Sequence, residues 1–239
     1  MFYVNGIKNI ITSSRYGKII WEYIRELYIK YICLTPCKRL QKYGTAAIRE
    51  IHTSLSTHDL PYVADFGTLL GIVREKGFIT HDDDIDFTIP PNSPSPKEYM
   101  KILNKNKRLK FCWGFEYKDK ITELTYLYKG IPIDFFFSCV EDGNIYDYVY
   151  MYTEGLVDWI PYRRQRILNG KYITGSINGQ DIIIPDNFED ILKTTYGDWR
   201  HPVDYHTTGQ SYVVSNGLPS ERMDGIARKV NEFRIYEIG

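Results

Sequence analysis

The sequence predicts an α+β fold in which a small mixed β-sheet is flanked by helices, with further helices added at both ends of the chain. Residues 84–89 alternate between polar and apolar side chains, which is typical of a half-buried strand. Apolar runs at residues 109–117, 123–128 and 131–137 indicate three more strands. Residues 42–58 carry an apolar stripe at helical spacing, which predicts a helix before the first strand.

The segment before the acidic run predicts an anion-binding site. Residues 62–66 indicate a short strand, Gly67 and Thr68 a tight turn, and residues 69–74 the first turns of a helix. The first backbone N–H groups of a helix lack intrahelical partners and attract phosphate. We therefore expect Gly67 and Thr68 to donate to phosphate oxygens, and Arg74 to take up negative charge.

The acidic run itself predicts a metal site. Asp84 and Asp86 share one face of the predicted strand, and Asp82 just upstream deepens the negative potential. Neighbouring carboxylates raise each other's pKa, and a hard divalent cation such as Mg²⁺ or Mn²⁺ removes their repulsion. A calcium-binding loop does not fit, because Phe87 stands where such a loop requires glycine. A solvated acidic turn stays open as an alternative.

A phosphate cradle beside paired acids is the layout of phosphoryl-transfer enzymes, and the same residues carry a resemblance. Residues 65–74 read Asp-Phe-Gly-Thr-Leu-Leu-Gly-Ile-Val-Arg, residues 77–79 read Gly-Phe-Ile, and residues 82–86 read Asp-Asp-Asp-Ile-Asp. This run closely resembles the LicD/fukutin (LicD/FKTN/FKRP) family. His81 stands where the family usually has tryptophan. A later Leu-Lys-x-x-Tyr-Gly-Asp, ending at Asp198, resembles the C-terminal signature of the same family.

The resemblance implies a nucleotidyltransferase-type fold and a transferase activity. Such proteins move a phospho-alcohol group (phosphocholine, ribitol phosphate or glycerol phosphate) from a CDP-activated donor to a glycan hydroxyl. It follows that the expected partners are a CDP-linked alcohol and a glycan or lipid-linked glycan. The expected cofactor is Mg²⁺ or Mn²⁺, held by the expected catalytic residues Asp84, Asp86 and Asp134.

Asp134 is the expected third metal ligand for two reasons. It stands in the apolar run 131–137, where burial of an acid costs free energy unless an opposite charge or a hydrogen bond compensates for it. The resembled family also has an acid on a strand at this place in its order. A buried structural salt bridge is the alternative interpretation.

Four more residues are expected to contact substrate. Arg163 and Arg166 belong to a basic cluster that we expect to hold the donor diphosphate by bidentate contacts, although a solvated turn fits that cluster equally. Tyr196 and Asp198 are expected to line the cleft, with Asp198 contacting a substrate hydroxyl or the choline side. A helix C-cap without a substrate role is the competing interpretation.

Composition excludes some classes of protein. The chain has 30 basic and 30 acidic residues, so its zero net charge argues against a nucleic-acid binder. It has four cysteines, and no second cysteine pair or nearby histidine completes a zinc site. Reduced thiols fit a cytoplasmic protein, and no apolar run approaches the ~20 residues that span a bilayer.

The distribution of charged residues and the hydrophobic periodicity along the chain predict three regions. Residues 1–42 hold eight Lys or Arg and two Glu, which predicts a basic amphipathic helical extension. The catalytic domain is expected over residues 43–200, and residues 201–239 as a loop and a helix, at 221–236, packed on the same domain. The helical pattern of residues 18–32 fits a helix docked on the domain or one lying on the inner face of the plasma membrane.

Two other functions use the same acids. One is a true nucleotidyltransferase that attacks the α-phosphorus of its donor. The other is a membrane-docked scaffold that binds metal without turnover. Release of CMP or of pyrophosphate distinguishes the two enzymes, and the scaffold releases neither.

Overall fold

The computed structural model describes residues 18, 19, 23, 34–152, 158–202 and 220–231 of the chain. The helices within these residues are α1 (Pro36–Ser56), α2 (Phe66–Leu70), which runs on into a π-helical turn (Gly71–Glu75), α3 (Pro96–Leu103) and α4 (Phe188–Tyr196). The strands are β1 (Val63–Ala64), β2 (Ile85–Ile89), β3 (Leu109–Tyr117), β4 (Lys120–Tyr128), β5 (Ile131–Phe137), β6 (Cys139–Glu141), β7 (Asn144–Tyr152), β8 (Trp159–Arg166), β9 (Tyr172–Ile177), β10 (Gln180–Pro185), β11 (Ser220–Arg222) and β12 (Arg228–Val230).

The main sheet has six strands in the order β1-β2-β5-β4-β3-β12. β2 and β5 run parallel at its centre, and every other pair of neighbours in this sheet is antiparallel. The α+β class and the mixed sheet predicted from the sequence are therefore confirmed. The parallel pair matters for function because it sets two distant stretches of the chain side by side.

One face of this sheet is the apolar core. Ile85, Phe87, Ile133 and Phe135 of the parallel pair have no exposed surface, and the two phenylalanine rings stack with their centroids 5.5 Å apart. Alternation in both strands therefore turns the polar residues between them to the opposite face. That opposite face carries the candidate site.

Helix α1 covers the core and begins earlier than the sequence predicts. The prediction starts this helix at about residue 42, whereas the structure starts it at Pro36. The side chain of Thr35 caps the helix by accepting a hydrogen bond from the backbone N–H of Lys38 at 3.4 Å. Proline is favoured in a first helical turn because the N–H that it lacks would have no partner there.

A second sheet, with the order β11-β8-β7-β6, lies against the other face of the main sheet. Phe115 of β3 stacks on Tyr150 of β7 with ring centroids 4.2 Å apart, and Trp159 of β8 meets Phe115 edge-on at 5.0 Å. Strands β9 and β10 form a separate antiparallel hairpin. The second sheet brings the arginines of β8 toward the polar face of the main sheet.

The ends of the chain depart from the prediction or lie outside the described residues. The predicted helix at 221–236 is wrong over residues 221–230, because β11 pairs with β8 and β12 pairs with β3. Of the predicted helix at 18–32, only Lys18, Ile19 and Tyr23 are described, and they are helical. The domain boundaries at residues 42 and 200 stay predictions.

Within the described part of the chain, every helix is too short or too polar to cross a bilayer.

Candidate active site

A helix, and not a turn, follows β1 at the edge of the site. Gly67 and Thr68, predicted as a tight turn, lie inside α2, so that prediction is wrong. Asp65 is extended, with φ −140°, and Phe66 takes a left-handed φ of 44°, so the chain reverses within these two residues. A bulky residue at positive φ is strained. Phe66 forms part of the wall of the site.

Three carboxylates meet on the polar face of the parallel pair. Asp86 of β2 and Asp134 of β5 are direct partners in the strand register, and Asp84 immediately precedes β2. One oxygen from each of the three lies within 4.8 Å of the others. The structure thus brings the three predicted metal ligands together, although fifty residues separate the first from the last.

Burial and mutual repulsion make this cluster unstable as three free anions. The pKa of Asp86 is raised well above its usual value, first by burial and then by the charges of Asp84 and Asp134. Burial also raises the pKa of Asp134 to about 7, although the hydroxyl of Thr125 donates a hydrogen bond to its Oδ1. The pKa of Asp84 rises through burial and the charge of Asp83.

The residues present fit a hard divalent cation. A second set of close carboxylates, Asp82, Asp83 and Asp84, shares Asp84 with the first set. Burial and the charge of Asp84 raise the pKa of Asp82 to about 8, and its Oδ2 is buried with no hydrogen-bond partner among the residues that the structure describes. Carboxylate oxygens are the ligands that Mg²⁺ and Mn²⁺ prefer. A cation among these carboxylates would remove their repulsion and would give the buried Oδ2 of Asp82 a partner.

Helix α2 shapes the acidic cluster through two small residues. A Cβ at Gly67 would lie 2.5 Å from Oδ2 of Asp82, so only glycine lets this carboxylate approach the helix. Thr68 is buried, and its Oγ1 accepts a hydrogen bond from the backbone N–H of Asp86 at 3.0 Å. Thr68 therefore lies beneath the cluster, where it fixes the start of β2.

A cavity of about 400 Å³ opens above the acidic cluster; we call it the acidic cavity. It is lined by Phe66, Gly67, Leu70, Arg74, Ile79, His81, Asp82, Asp83, Asp84, Asp86, Asp134, Phe136, Val149, Arg164, Tyr196, Asp198, Trp199, His201 and Pro202. Eight of the eleven sequence-predicted site residues are in this lining. The exceptions are Thr68, Arg163 and Arg166.

The structure corrects the placement of Arg163 and Arg166. Arg163 points away from the acidic cavity and pairs with Glu141 at 2.9 Å and Glu221 at 2.6 Å. Arg166 is buried and pairs with Asp65. The expected contact of these two arginines with a donor diphosphate in the acidic cavity therefore has no support from their positions.

Arg164, between them, is the arginine that lines the acidic cavity. Its Nε and Nη2 donate to the two carboxylate oxygens of Asp147 at 2.8 and 2.9 Å. Its guanidinium lies over the ring of Phe66, 4.2 Å from the centroid. Asp147 is fully buried and also meets Arg166 at 3.4 Å, so a chain of alternating charges runs from Asp65 to Arg164. A bidentate, stacked guanidinium of this kind is held rigidly.

The family-like segment around residue 198 closes the far side of the acidic cavity. Tyr196 and Asp198 line it as predicted, and Asp198 accepts or shares a hydrogen bond with Nδ1 of His201 at 2.7 Å. Arg74 donates through Nη1 to the carbonyl oxygen of Trp199 at 3.1 Å, which ties this segment to the helical turn after α2. Both faces of the acidic cavity are thus linked through Arg74.

The sequence model of one protein family, described as LicD/FKTN/FKRP, nucleotidyltransferase domain, matches residues 59–174. A relative from Rickettsia typhi, named "Uncharacterized protein RT0683", is 27% identical over 135 residues, which cover 49% of this chain and 42% of that protein. The chain therefore spans less than half the length of this curated relative.

A solved structure was also matched, with weak similarity. It is titled "Crystal Structure of ANT(2")-Ia in complex with adenylyl-2"-tobramycin", and it covers 60% of this chain and 69% of that chain. The TM-score is 0.35 and the sequence identity is 16%. At this level of similarity we draw no functional conclusion from it.

Proposed function

We propose a function from the premise that this chain belongs, through residues 59–174, to the LicD/FKTN/FKRP family, whose members are generally transferases. In this proposal the protein is a metal-dependent phosphotransferase. It moves a phospho-alcohol group, of the phosphocholine, glycerol phosphate or ribitol phosphate type, from a CDP-linked donor to a hydroxyl of a glycan or lipid-linked glycan, and it releases CMP. The proposed location is the cytoplasm, with peripheral contact at the inner face of the plasma membrane.

The observation that carries this proposal is the meeting of Asp84, Asp86 and Asp134 at the base of a cavity that also presents Arg74 and Arg164. The guanidinium groups on one side of the cavity can pair directly with phosphate oxygens. The acids on the other side can contact the same phosphates through a bound cation. The three acids would hold Mg²⁺ or Mn²⁺, which supplies neutralisation of phosphate charge and lowers the pKa of a bound hydroxyl.

The chain's own groups account for the other requirements of the reaction. Asp134 is the proposed base: it takes the proton of the acceptor hydroxyl as the new oxygen–phosphorus bond forms. Burial raises the pKa of Asp134 to about 7 in the metal-free chain. A bound cation would lower this pKa, so the carboxylate would be ionised and able to accept a proton at neutral pH. The hydrogen bond from Thr125 to Oδ1 fixes this carboxyl and leaves Oδ2 to face the acceptor.

The bond from the transferred phosphorus to CMP breaks as the new bond forms, and charge develops on the CMP phosphate. Arg164 is the proposed partner for this charge, because its pair with Asp147 and its contact with Phe66 hold it in place beforehand. Arg74 is proposed to act beside it. A preorganised cation costs no rearrangement during the reaction.

The test is a panel of CDP-choline, CDP-ribitol, CDP-glycerol and CDP-ethanolamine, each incubated with the protein, Mg²⁺ and a glycan or lipid-linked glycan preparation that supplies the acceptor hydroxyl. Release of CMP that depends on Mg²⁺ supports the proposal and identifies the transferred group. Absence of CMP release with all four donors, in protein that still binds Mg²⁺, would favour the non-catalytic scaffold.

A nucleotidyltransferase is the second candidate, because the matched family model describes a nucleotidyltransferase domain. The same three acids would serve attack at the α-phosphorus. That enzyme would release pyrophosphate from a nucleoside triphosphate and leave a nucleotide on the acceptor. A pyrophosphate assay with CTP and ATP separates it from the phosphotransferase.

A further inference from the structure

Asp65 begins the motif of residues 65–74, but the proposed reaction gives its carboxylate no role. It occupies the N-cap position of α2, yet its side chain makes no capping hydrogen bond to that helix. It is not among the residues that line the acidic cavity, and it is only 3% exposed. A buried carboxylate costs free energy unless its neighbours compensate for it. The purpose of Asp65 therefore lies in the groups that it contacts.

The side chain of Asp65 starts a chain of contacts that ends at the acidic cavity. Its Oδ2 accepts a hydrogen bond from the hydroxyl of Thr88 and another from Nη2 of Arg166. Nη1 of Arg166 lies 3.4 Å from Oδ2 of Asp147. That same oxygen of Asp147 accepts a hydrogen bond from Nη2 of Arg164 at 2.9 Å. Asp147 thus faces two guanidinium groups, of which Arg164 alone lines the acidic cavity.

The four charges of this chain are balanced while Asp65 is ionised. Two carboxylates and two guanidinium groups sum to zero, and Asp147 and Arg166 are only 0% and 8% exposed. Charges that solvent reaches so little interact strongly with one another. Without the charge of Asp65, Arg166 would draw more strongly on Oδ2 of Asp147. It would then compete with Arg164 for that oxygen and loosen the bidentate pair that holds Arg164.

We propose that Asp65 is a positioning residue: by pairing with Arg166, it leaves Asp147 to hold Arg164 at the wall of the acidic cavity. The kinetic part of this inference rests on the proposed function, in which Arg164 stabilises the charge that develops on the departing CMP. Asp65 itself contacts no reacting atom. Its effect on the reaction therefore passes through Arg164.

Asp65→Asn keeps the size of the side chain and an oxygen for Thr88 but removes the charge. We expect roughly 5- to 10-fold lower kcat for CMP release and an unchanged KM for the donor, because Arg164 acts on charge that appears in the transition state. The backbone N–H of Asp65 donates to the carbonyl oxygen of Asp86 at 3.1 Å, so the rates are measured at saturating Mg²⁺. Wild-type kcat in folded Asp65→Asn would overturn the proposal.

Arg166→Met separates positioning from stability, because it removes the other member of the same buried pair. It leaves the charge of Asp147 to Arg164, so we expect near wild-type kcat in a less stable protein. Asp65→Asn combined with Arg166→Met should regain near wild-type kcat for the same reason, and this double variant carries the test if Asp65→Asn alone does not fold. Loss of kcat in the folded double variant would show that Asp65 acts by another route and would overturn the proposal.

Thr88→Val is the matched control for the hydrogen bonds of Asp65. It removes the other partner of Oδ2 and keeps all four charges of the chain. We expect a lower Tm, because a buried hydrogen bond is lost, and wild-type kcat. A loss of kcat equal to that of Asp65→Asn would show that Asp65 acts through β2 and not through Arg164.

A double-mutant cycle with Arg164→Lys tests the route directly. Lysine cannot form the bidentate pair with Asp147, so Asp65→Asn should cause no further loss of kcat in that background. A residue with a purely structural role would cause the same loss in both backgrounds. Such additive losses would contradict the proposal.

NMR of the arginine Nε–H groups tests the positioning without any turnover. Nε of Arg164 donates to Oδ1 of Asp147 at 2.8 Å, so its proton should exchange slowly with water. Loss of the signal in Arg164→Lys assigns it. We expect faster exchange in Asp65→Asn and wild-type exchange in Thr88→Val. If no donor releases CMP from the wild-type protein, the proposed function fails, whereas unchanged exchange in Asp65→Asn overturns the positioning role.

Discussion

Arg163 and Arg164 are neighbours in the sequence, yet β8 directs their side chains to opposite faces of the strand. Side chains alternate along a strand, and of these two arginines Arg164 alone lines the acidic cavity. Arg164 also lies directly opposite Asp147 in the register of β7 and β8. The role of an arginine in this cluster is therefore decided by its place in the strand.

Arg164→Lys should lower transferase activity by about 10-fold or more, which corresponds to about 1.4 kcal/mol of transition-state stabilisation. Lysine keeps the charge but loses the two parallel hydrogen bonds to Asp147 and the stacking on Phe66. Steady-state kinetics of CMP release measures this effect. Arg49→Lys, at a surface contact with Gln180, is the control and should keep wild-type kinetics.

The sequence predicted part of the acidic site and missed part of it. Asp84 and Asp86 could be assigned from local alternation alone, because two acids on one strand face need no knowledge of the fold. The assignment of Asp134 rested on the cost of an acid in an apolar strand and on the family resemblance, because its register against Asp86 is a tertiary property that local pattern does not give. Arg164 was missed, although treating residues 159–166 as a strand would have separated it from Arg163.

At the scale of elements, α2 and the acidic run are fitted to each other through Gly67 and Asp82. A Cβ at Gly67 would displace the carboxylate of Asp82, since the two atoms would be 2.5 Å apart. We expect Gly67→Ala to reduce the rise in Tm that Mg²⁺ produces. Asp82→Ala should reduce it as well.

The double variant tests whether the two residues act through one contact. Gly67→Ala should have no further effect in the Asp82→Ala background, because the atom that it displaces is absent. Effects of residues in contact are not additive, whereas independent effects add. Additive losses of the Mg²⁺ response would show that glycine acts by another route.

The strand β8 is attached to the main sheet by buried charge. Arg166 and Asp65 have side chains that are only 7% and 4% exposed. Removing one partner of a buried pair leaves a charge without compensation, at a cost of about 3–5 kcal/mol. Arg166→Met should therefore lower the free energy of unfolding by that amount in urea denaturation.

The control is an arginine in an exposed pair. Arg228 pairs with Glu116 at the surface, with its side chain 73% exposed. Arg228→Met should leave the urea midpoint close to the wild-type value, because solvent screens exposed ion pairs. If both variants unfold at the same urea concentration, the charged chain from Asp65 to Arg164 contributes little to the fold.

Element boundaries were predicted less well than element types. The strands at 109–117 and 131–137 were found from their apolar runs, whereas the helix α1 was predicted from about residue 42 and begins at Pro36. The terminal helix at 221–236 was predicted from residues that form β11 and β12 over 220–230. These short strands are stabilised by pairing with β8 and β3, which a local pattern does not reveal.

At the scale of the whole molecule, the acidic cluster ties stability to pH and to metal. Raised pKa values mean that the folded chain binds protons more tightly than the unfolded chain. In the metal-free protein, the stability that these groups contribute is fully present at pH values below 3.8, the ordinary pKa of an aspartate. It is lost as pH rises through the folded values, about 7 for Asp134 and about 8 for Asp82.

Thermal unfolding measures this dependence. The Tm of the metal-free protein should fall between about pH 5 and about pH 8, and Mg²⁺ should raise the Tm more at the higher pH. Asp86→Asn should flatten the pH dependence and reduce the response to Mg²⁺. A Tm that rises with pH in the metal-free protein would contradict the buried, repelling cluster.

The most direct test of the central claim is CMP release from the CDP-alcohol panel by Asp86→Asn, compared with Asp181→Asn, an exposed aspartate on β10. The account predicts that Asp86→Asn remains folded and loses roughly 10²- to 10³-fold in CMP release, the range for losing one charge-stabilising group. It predicts wild-type release by Asp181→Asn. Full CMP release by folded Asp86→Asn would contradict a metal-dependent transfer at the three carboxylates.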